Sequence, residues 1–318
     1  MAKVRNLKKI CLVGGSGFVG EHLLNRWAGR YQLDVLSRNP DHHKDGRVVP
    51  GSRFHAVDVY DVNALKLRFD GAHAVVNLVG ILNESGRNGK GFEKAHVTLT
   101  ETALEAARKA GVKRFLQMSA LRAGEGASHY LRTKAEAEQR VRSSRLRYTI
   151  FRPSTIFGPG DSFLNRFATL LRLAPLGLPL ACPDAKMQPV YVKDVAAAFD
   201  AALEADAEAN GIWELGGPRV YTLKELVCYV RDQIGMGQPI VGLPDAISRF
   251  QAFLFDYSPV KPFSSDNYRS LQVPSVTRDN ALPKLGIEPT ALEAIAPRYL
   301  GPGSKSDRLQ RFRTRASR

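Results

Sequence analysis

Short, uninterrupted apolar runs alternate along the first half of the chain with longer stretches whose apolar positions recur at helical spacing. Ile10-Cys11-Leu12-Val13 is apolar at every position, the pattern of a strand buried on both faces. A helix follows from about Phe18 to Ala28. Leu33–Leu36, Phe54–Val59 and Ala74–Val79 read as the next three strands. A long helix from about Phe92 to Ala110 is closed by Gly111, and Arg114–Met118 is a fifth strand. Tyr130 to about Arg142 is a helix and Tyr148–Phe151 a sixth strand. Two-faced apolar strands separated by helices predict an α/β fold with a doubly wound parallel sheet.

After Arg152 the rhythm changes. Six prolines punctuate residues 153–189, short helices are expected at about 193–205 and 222–234, and a strand near Ile212–Leu215. Residues 239–290 read as irregular and proline-rich. The expected organisation is a sheet domain over 1–152 and a smaller C-terminal lobe on the substrate side over 153–297, from which a strand and helices return to the sheet. A basic tail, expected to be flexible, fills 298–318.

Gly14-Gly15-Ser16-Gly17-Phe18-Val19-Gly20 has the spacing G-x-x-G-x-x-G. Alone that pattern is weak, but here it follows a buried strand and opens a helix. Bare backbone amides at a helix N-terminus can receive a pyrophosphate, and Cβ atoms would obstruct that approach. The architecture expected is therefore a Rossmann-type dinucleotide-binding sheet. At the end of the second strand, Ser37-Arg38 offers a hydroxyl and a guanidinium where an acid would favour NAD(H). This favours NADP(H) through its 2′-phosphate, with NAD(H) left open.

Tyr130-Leu131-Arg132-Thr133-Lys134 places a phenol and an ammonium on one helical face. A nearby ammonium is expected to lower the phenol pKa and let Tyr130 exchange a proton with a substrate carbonyl. Tyr257 and Lys261 repeat the spacing, but Pro259 between them disfavours a helix. Lys134 is expected to anchor a ribose, and Ser119 is the candidate for polarising the substrate oxygen. The seven histidines form no metal-ligand spacing, so no metal is expected.

The net charge of +15 is concentrated at the ends. Residues 1–10 hold four Lys or Arg and no acid, and residues 298–318 hold seven against one Asp. The near-neutral body and the lack of aromatic interleaving in the tail argue against nucleic acid as a partner. A solvated tail and an anionic surface remain open, whether lipid or a partner's acidic face. Three scattered cysteines suit a reducing compartment. No run of about 18 apolar residues occurs, so the expected location is cytoplasmic or peripheral on the inner face of a membrane. Phe163–Leu180, with Phe163, Phe167, Leu170, Leu171 and Ala174 at helical spacing, reads either as an apolar membrane wedge or as a lid helix.

The glycine motif, Arg38, Asp58-Val59, the Tyr130/Lys134 pair and Arg152-Pro153-Ser154-Thr155-Ile156-Phe157-Gly158-Pro159-Gly160-Asp161 together resemble an extended short-chain dehydrogenase/reductase of NAD-dependent epimerase/dehydratase type. Tyr130–Lys134, Asp161–Asn165 and Gln188–Asp194 look like the atypical branch that contains the NADPH-binding accessory subunit family of respiratory complex I and its bacterial relatives. The resemblance covers roughly residues 8–290. It implies that Gly14, Ser16, Gly17, Phe18, Val19, Gly20, Ser37, Arg38, Asp58, Val59, Leu78, Val79, Gly80, Met118, Tyr130, Lys134, Pro153 and Ser154 line the cofactor. It implies an oxidoreductase acting on a carbonyl or hydroxyl of a small, apolar, quinone-related substrate. It equally implies a non-catalytic accessory or assembly protein of a respiratory or ubiquinone-biosynthesis complex. Two departures bear on that choice: Ala120 stands where the catalytic Ser or Thr usually falls, with Ser119 one residue early, and His96 replaces the usual Asn.

Overall fold

The computed structural model describes residues 7–38, 49–204, 210–258 and 261–301. Contacts divide the chain into two units: residues 1–152 with 195–213, and residues 153–194 with 214–318.

The first unit holds β1 (Lys9–Val13), α1 (Phe18–Trp27), β2 (Gln32–Ser37), β3 (Ser52–Ala56), α2 (Val62–Phe69) and β4 (Ala74–Asn77). Next come α3 (Lys90–Phe92), a π-helical turn (Glu93–Thr98), α4 (Leu99–Lys109), β5 (Arg114–Met118), α5 (His129–Ser143) and β6 (Arg147–Pro153). With β11 (Gly211–Leu215) the sheet has seven strands in the order β11-β6-β5-β4-β1-β2-β3. β1 pairs in parallel with both β2 and β4, so the strand order reverses between β1 and β4. Ligands of such sheets bind at the carboxyl ends beside that reversal. The third strand lies two residues earlier than Phe54–Val59, since its register runs Leu33↔Ser52 to Ser37↔Ala56. Val57 and Val59 are apolar because they are buried in the core beyond the strand end, not because they pair.

One face of the sheet buries Cys11, Val13, Val75, Phe115 and Ile150 against Leu65 and Phe69 of α2, Ala103 and Ala107 of α4, and Val141 of α5. The other face explains why residues 195–213 return to this unit and do not stay with the lobe. Phe199 of α7 (Val192–Glu204) stacks on Phe151 of β6 with ring centres 3.8 Å apart. The next residue, Asp200, accepts hydrogen bonds from Trp27 Nε1 (3.1 Å), Arg26 Nε (3.0 Å) and Arg30 (2.9 Å), tying α7 to α1. Burying the carboxylate would be costly without those donors.

The second unit is built from β7 (Ile156–Phe157), α6 (Leu164–Leu173), β8 (Leu178–Leu180), β9 (Lys186–Met187), β10 (Val190–Tyr191), β12 (Tyr221–Thr222), α8 (Leu223–Gln233), β13 (Ile240–Gly242), α9 (Asp245–Phe255), α10 (Ser265–Leu271) and three single-turn helices, α11 (Ala281–Lys284), α12 (Leu292–Ile295) and α13 (Pro297–Leu300). Asp161 organises its start. The buried carboxylate accepts from Leu164 N (2.7 Å) and Gly158 N (3.2 Å), and Tyr299 Oη donates to it at 2.7 Å. α6 buries Leu164, Ala168 and Leu171 inside the unit, while Phe163, Phe167 and Leu170 are half-buried. Of the stripe read as either a membrane wedge or a lid, Leu171 is buried, and Phe163, Phe167, Leu170 and Ala174 are half-buried. Residues 239–290 contain β13 and three helices, α9, α10 and the single-turn α11, where irregular chain was expected. In α9 the inward positions are the small Ser248 and Ala252, so the helix lacks the buried apolar stripe by which amphipathic helices are recognised. No helix among the described residues is long and apolar enough to cross a membrane. The basic residues of 302–318 lie outside the described residues.

The β1–α1 turn gives its glycines different jobs. A Cβ on Gly20 would stand 2.1 Å from the Gly15 carbonyl oxygen, a backbone atom that cannot yield. A Cβ on Gly17 would meet nothing closer than Gly14 O at 3.5 Å. Gly20→Ala is expected to cost about 3 kcal/mol of stability by forcing helix from turn. Gly17→Ala, at the helix N-cap, is expected to cost about 1 kcal/mol or less. Urea unfolding of both variants checks this; equal losses would refute the distinction.

Candidate functional site

Gly14 ends β1 with φ +76°, a backbone conformation that favours glycine, and a Cβ there would lie 2.8 Å from Val79 Cγ2. Gly14 N donates to Leu36 O (3.2 Å) and Leu78 N to Val13 O (2.9 Å), so the turn is tied to the carboxyl ends of both neighbouring strands. Gly17 caps α1 without a side-chain partner, and Phe18, Val19 and Gly20 form its first turn. Ser16 Oγ donates to Ser37 Oγ at 3.4 Å, joining the turn to the end of β2. Arg38 follows, exposed. Its charge is felt by Tyr60, whose phenol is pushed up by burial, pulled down by Arg38 and raised by Asp58. Asp58 accepts from Tyr60 N at 2.9 Å, while Val59 points into the core. The structure thus gathers the glycine turn, Ser37 and Arg38 at one edge and gives Val59 a packing role.

The second gathering is around α5. Lys134 is 3% exposed, and Met118 O at 3.3 Å is the acceptor it reaches among the described residues. A Cβ on Gly80 would lie 3.0 Å from Lys134 Nζ, so the bare glycine makes room for the ammonium. Burial lowers the lysine pKa to about 8 against the opposing pull of Glu138. Tyr130 packs edge-on against His96 (5.5 Å) and Phe92 (6.1 Å). Its phenol is pushed up to about 12 by desolvation. The expected lowering by Lys134 is not what this geometry produces: Nζ lies 6.0 Å from the ring centre, and burial dominates.

Ser119 is buried, and its hydroxyl donates to Glu138 Oε1 at 2.6 Å. Arg152 grips the same carboxylate through Nε (2.8 Å) and a terminal nitrogen (2.5 Å). The one proton of Ser119 is therefore committed to Glu138. Glu138 and Arg152 were not singled out from the sequence as site residues, although Glu138 stands four residues after Lys134, on the same helical face. A second missed network fixes the end of β4: Asn77 Nδ2 donates to Thr100 Oγ1 (3.1 Å) and Gln117 Oε1 (3.0 Å), and its Oδ1 receives Val79 N (3.2 Å). Pro153 and Ser154 belong to the second unit, where Ser154 Oγ donates to Ser275 O at 2.9 Å. Tyr257 lies just beyond α9 and Lys261 in a turn, so that pair shares no helix.

His96 lies in the π-helical turn that interrupts the expected continuous helix; such turns add a residue to the coil and recur at functional sites. Its Nε2 accepts from Ile81 N (3.2 Å), which assigns the proton to Nδ1, facing Thr133 Oγ1 at 2.9 Å. Thr133 in turn donates to His129 O at 2.8 Å. Burial first, then the Lys134 charge, lower the His96 pKa to about 2. Below its ordinary value of 6.5 the unfolded chain binds a proton that the native one refuses, so stability falls as pH drops below 6.5. His96→Asn should remove about 2 kcal/mol of that loss between pH 6.5 and 4.5. Parallel acid-unfolding curves of the two proteins would exclude it.

The comparisons with known proteins agree with this architecture. Residues 10–216 match the NAD dependent epimerase/dehydratase family. The chain is 33% identical over 289 residues to the mitochondrial NADH dehydrogenase [ubiquinone] 1 alpha subcomplex subunit 9 of Arabidopsis thaliana, covering 85% of this chain and 71% of that one. It is 29% identical over 245 residues to the ceramide reductase of Caulobacter vibrioides, covering 74% of each. Among solved structures, the Bordetella bronchiseptica enzyme WbmG in complex with NAD superposes with a TM-score of 0.69 over 92% of both chains at 19% identity, a likeness of fold. With more than half its length matched, including the glycine turn and the Tyr130/Lys134 helix, the chain belongs to the NAD dependent epimerase/dehydratase family.

Proposed function

We propose that the protein is an NADP(H)-dependent reductase that converts a carbonyl of an apolar, lipid- or quinone-like substrate to an alcohol. The observation that carries this reading is the buried Lys134 ammonium beside Tyr130, at the carboxyl edge of β5. A buried lysine that reaches one carbonyl keeps N–H donors for ribose hydroxyls, and the crevice at Gly17 is bare of side chain. The chain thus fits a dinucleotide: Gly14–Gly20 would hold the pyrophosphate, Ser37 and Arg38 the adenosine ribose, and Lys134 the nicotinamide ribose. When bound, the cofactor supplies the hydride.

The remaining work falls to this chain. Tyr130, with its pKa near 12, is protonated at neutral pH and suited to donate a proton to the substrate oxygen. Lys134, charged through most of the neutral range, would hold the nicotinamide ribose beside Tyr130. Relatives named for a reductase of ceramide and for a ubiquinone-linked dehydrogenase support an apolar substrate.

A second reading is favoured by one observation. Because Ser119 gives its proton to Glu138, the site lacks the hydroxyl that would polarise a carbonyl. A nucleotide-loaded accessory subunit, stabilised by its cofactor through mass action, needs no such donor. NADPH consumption with an apolar carbonyl or quinone acceptor separates the two. Turnover by the native protein supports the reductase. Retained NADPH without turnover supports the scaffold.

Two outcomes are expected. Arg38→Asp should reverse or abolish a preference for NADPH over NADH measured by calorimetry, because a charge-assisted pair with the 2′-phosphate is replaced by repulsion; equal affinities for both cofactors in the native protein would exclude that role. Tyr130→Phe should bind NADPH within a few-fold of the native protein and lose turnover by about 100-fold or more. Unchanged turnover would remove Tyr130 from the proton path.

A further inference from the structure

The second unit turns one helix inside out. In α9 the residues directed inward are Ser248, whose hydroxyl accepts from Cys182 N (3.2 Å) and donates to Leu243 O (3.2 Å), and Ala252. The large apolar residues are directed outward: Ile247, Phe250, Phe253 and Leu254 are 50–60% exposed, and Tyr257, just past the helix, is 63% exposed. At about 100° per residue, Phe253, Ala246, Phe250, Leu254 and Ile247 span a continuous arc of about 120° that contains no polar side chain. Tyr257 extends it, edge-on to Phe253 with ring centres 5.4 Å apart. The acids of the helix are occupied elsewhere. Asp245 accepts from Tyr268 Oη (2.8 Å), and Asp256 from Ser265 N (3.0 Å), both on α10. Leu173 and Leu176, 75% and 94% exposed, add apolar surface to the same unit.

Folding does not bury these side chains, and a contiguous exposed patch of this kind marks an interaction surface. The occupant is indicated by charge. In sequence, residues 298–318, of which 302–318 lie outside the described residues, carry seven Lys or Arg against one Asp. An apolar wedge alone gives marginal, reversible attachment to a bilayer, and a polybasic segment alone is screened by salt. Both together make the two-signal arrangement that holds a protein on an anionic lipid surface. We infer that the outward face of α9, acting with the basic C-terminal segment, docks the protein on an anionic membrane. Phe and Tyr are suited to the headgroup boundary, where one side of the ring meets acyl chain and the other water. Attachment there would give the protein access to substrates dissolved in the bilayer. The inference does not depend on the proposed reaction, since no residue of α9 is assigned to the nucleotide.

The test is flotation of the full-length protein with vesicles of phosphatidylcholine plus phosphatidylglycerol and with phosphatidylcholine alone, at low and high salt. The native protein should float with the anionic vesicles at low salt and be released by high salt. The double variant Phe250→Ser/Leu254→Ser should bind anionic vesicles at least tenfold more weakly, because two exposed apolar side chains no longer enter the bilayer. It should melt at the native temperature and bind NADPH as the native protein does, which separates failure of docking from failure of the cofactor reading. A Phe253→Trp variant should shift its emission to the blue when anionic vesicles are added. Absence of flotation by the native protein, or equal flotation by the double variant, overturns the inference. So does sedimentation showing a native dimer that the double variant dissociates, for then a second copy covers α9.

Discussion

Helix α1 can sit against the end of β1 only because Gly20 and Gly15 touch without a Cβ between them. That contact sets the angle at which the helix leaves the sheet, and so where its first backbone amides point. Much else in the first unit is arranged around it. Gly14 takes a positive φ to enter the turn, and Val79, just beyond β4, closes on the bare Gly14. Asn77 fixes the backbone of Val79 through a hydrogen bond of its own. Ser16 carries the turn across to Ser37, next to Arg38. One steric allowance therefore aligns the glycine turn with Ser37 and Arg38, the residues proposed to hold the pyrophosphate and the adenosine ribose.

At the other end of the crevice the organising cost is electrostatic. Lys134 is held in a place where its charged form is penalised, and the pKa falls to about 8. Retaining an ammonium there opposes stability, which supports the proposed role of Lys134 in holding the cofactor. Its neighbours limit the penalty without neutralising it. Met118 supplies a carbonyl, and Glu138, four residues along the helix, lends a negative charge while it accepts hydrogen bonds from Ser119 and Arg152. His96 stays neutral beside the lysine because burial and that same positive charge expel its proton. The buried polar groups form connected networks, as they must in a low dielectric.

The second unit follows a different economy. Asp161 gathers the Gly158 turn, the start of α6 and Tyr299 into one buried knot. That internal investment contrasts with α9, which spends its largest side chains on solvent. The contrast fits a unit whose interior is complete and whose outer face is completed by something else.

The sequence by itself determined the parallel sheet, because strands such as Ile10–Val13 are apolar at every position and so must be covered on both sides. It also determined the glycine turn between β1 and α1, because glycine spacing is a steric statement local to seven residues. The tyrosine–lysine face was legible for the same reason: a single helix fixes it. Tertiary structure decided the rest. The phenol pKa rises instead of falling because desolvation depends on what surrounds Tyr130, which no spacing reports. Ser119 donates to Glu138 across 19 positions of chain, and Arg152 holds the same carboxylate from 14 positions beyond, so a hydroxyl that could be read as free from sequence is committed in the fold. Residues 195–213 return to the first unit because Phe199 meets Phe151 and Asp200 meets Trp27, contacts that exist only once the sheet is assembled. The outward face of α9 escaped notice because composition shows that a segment is apolar, while only packing shows which side of it is left uncovered.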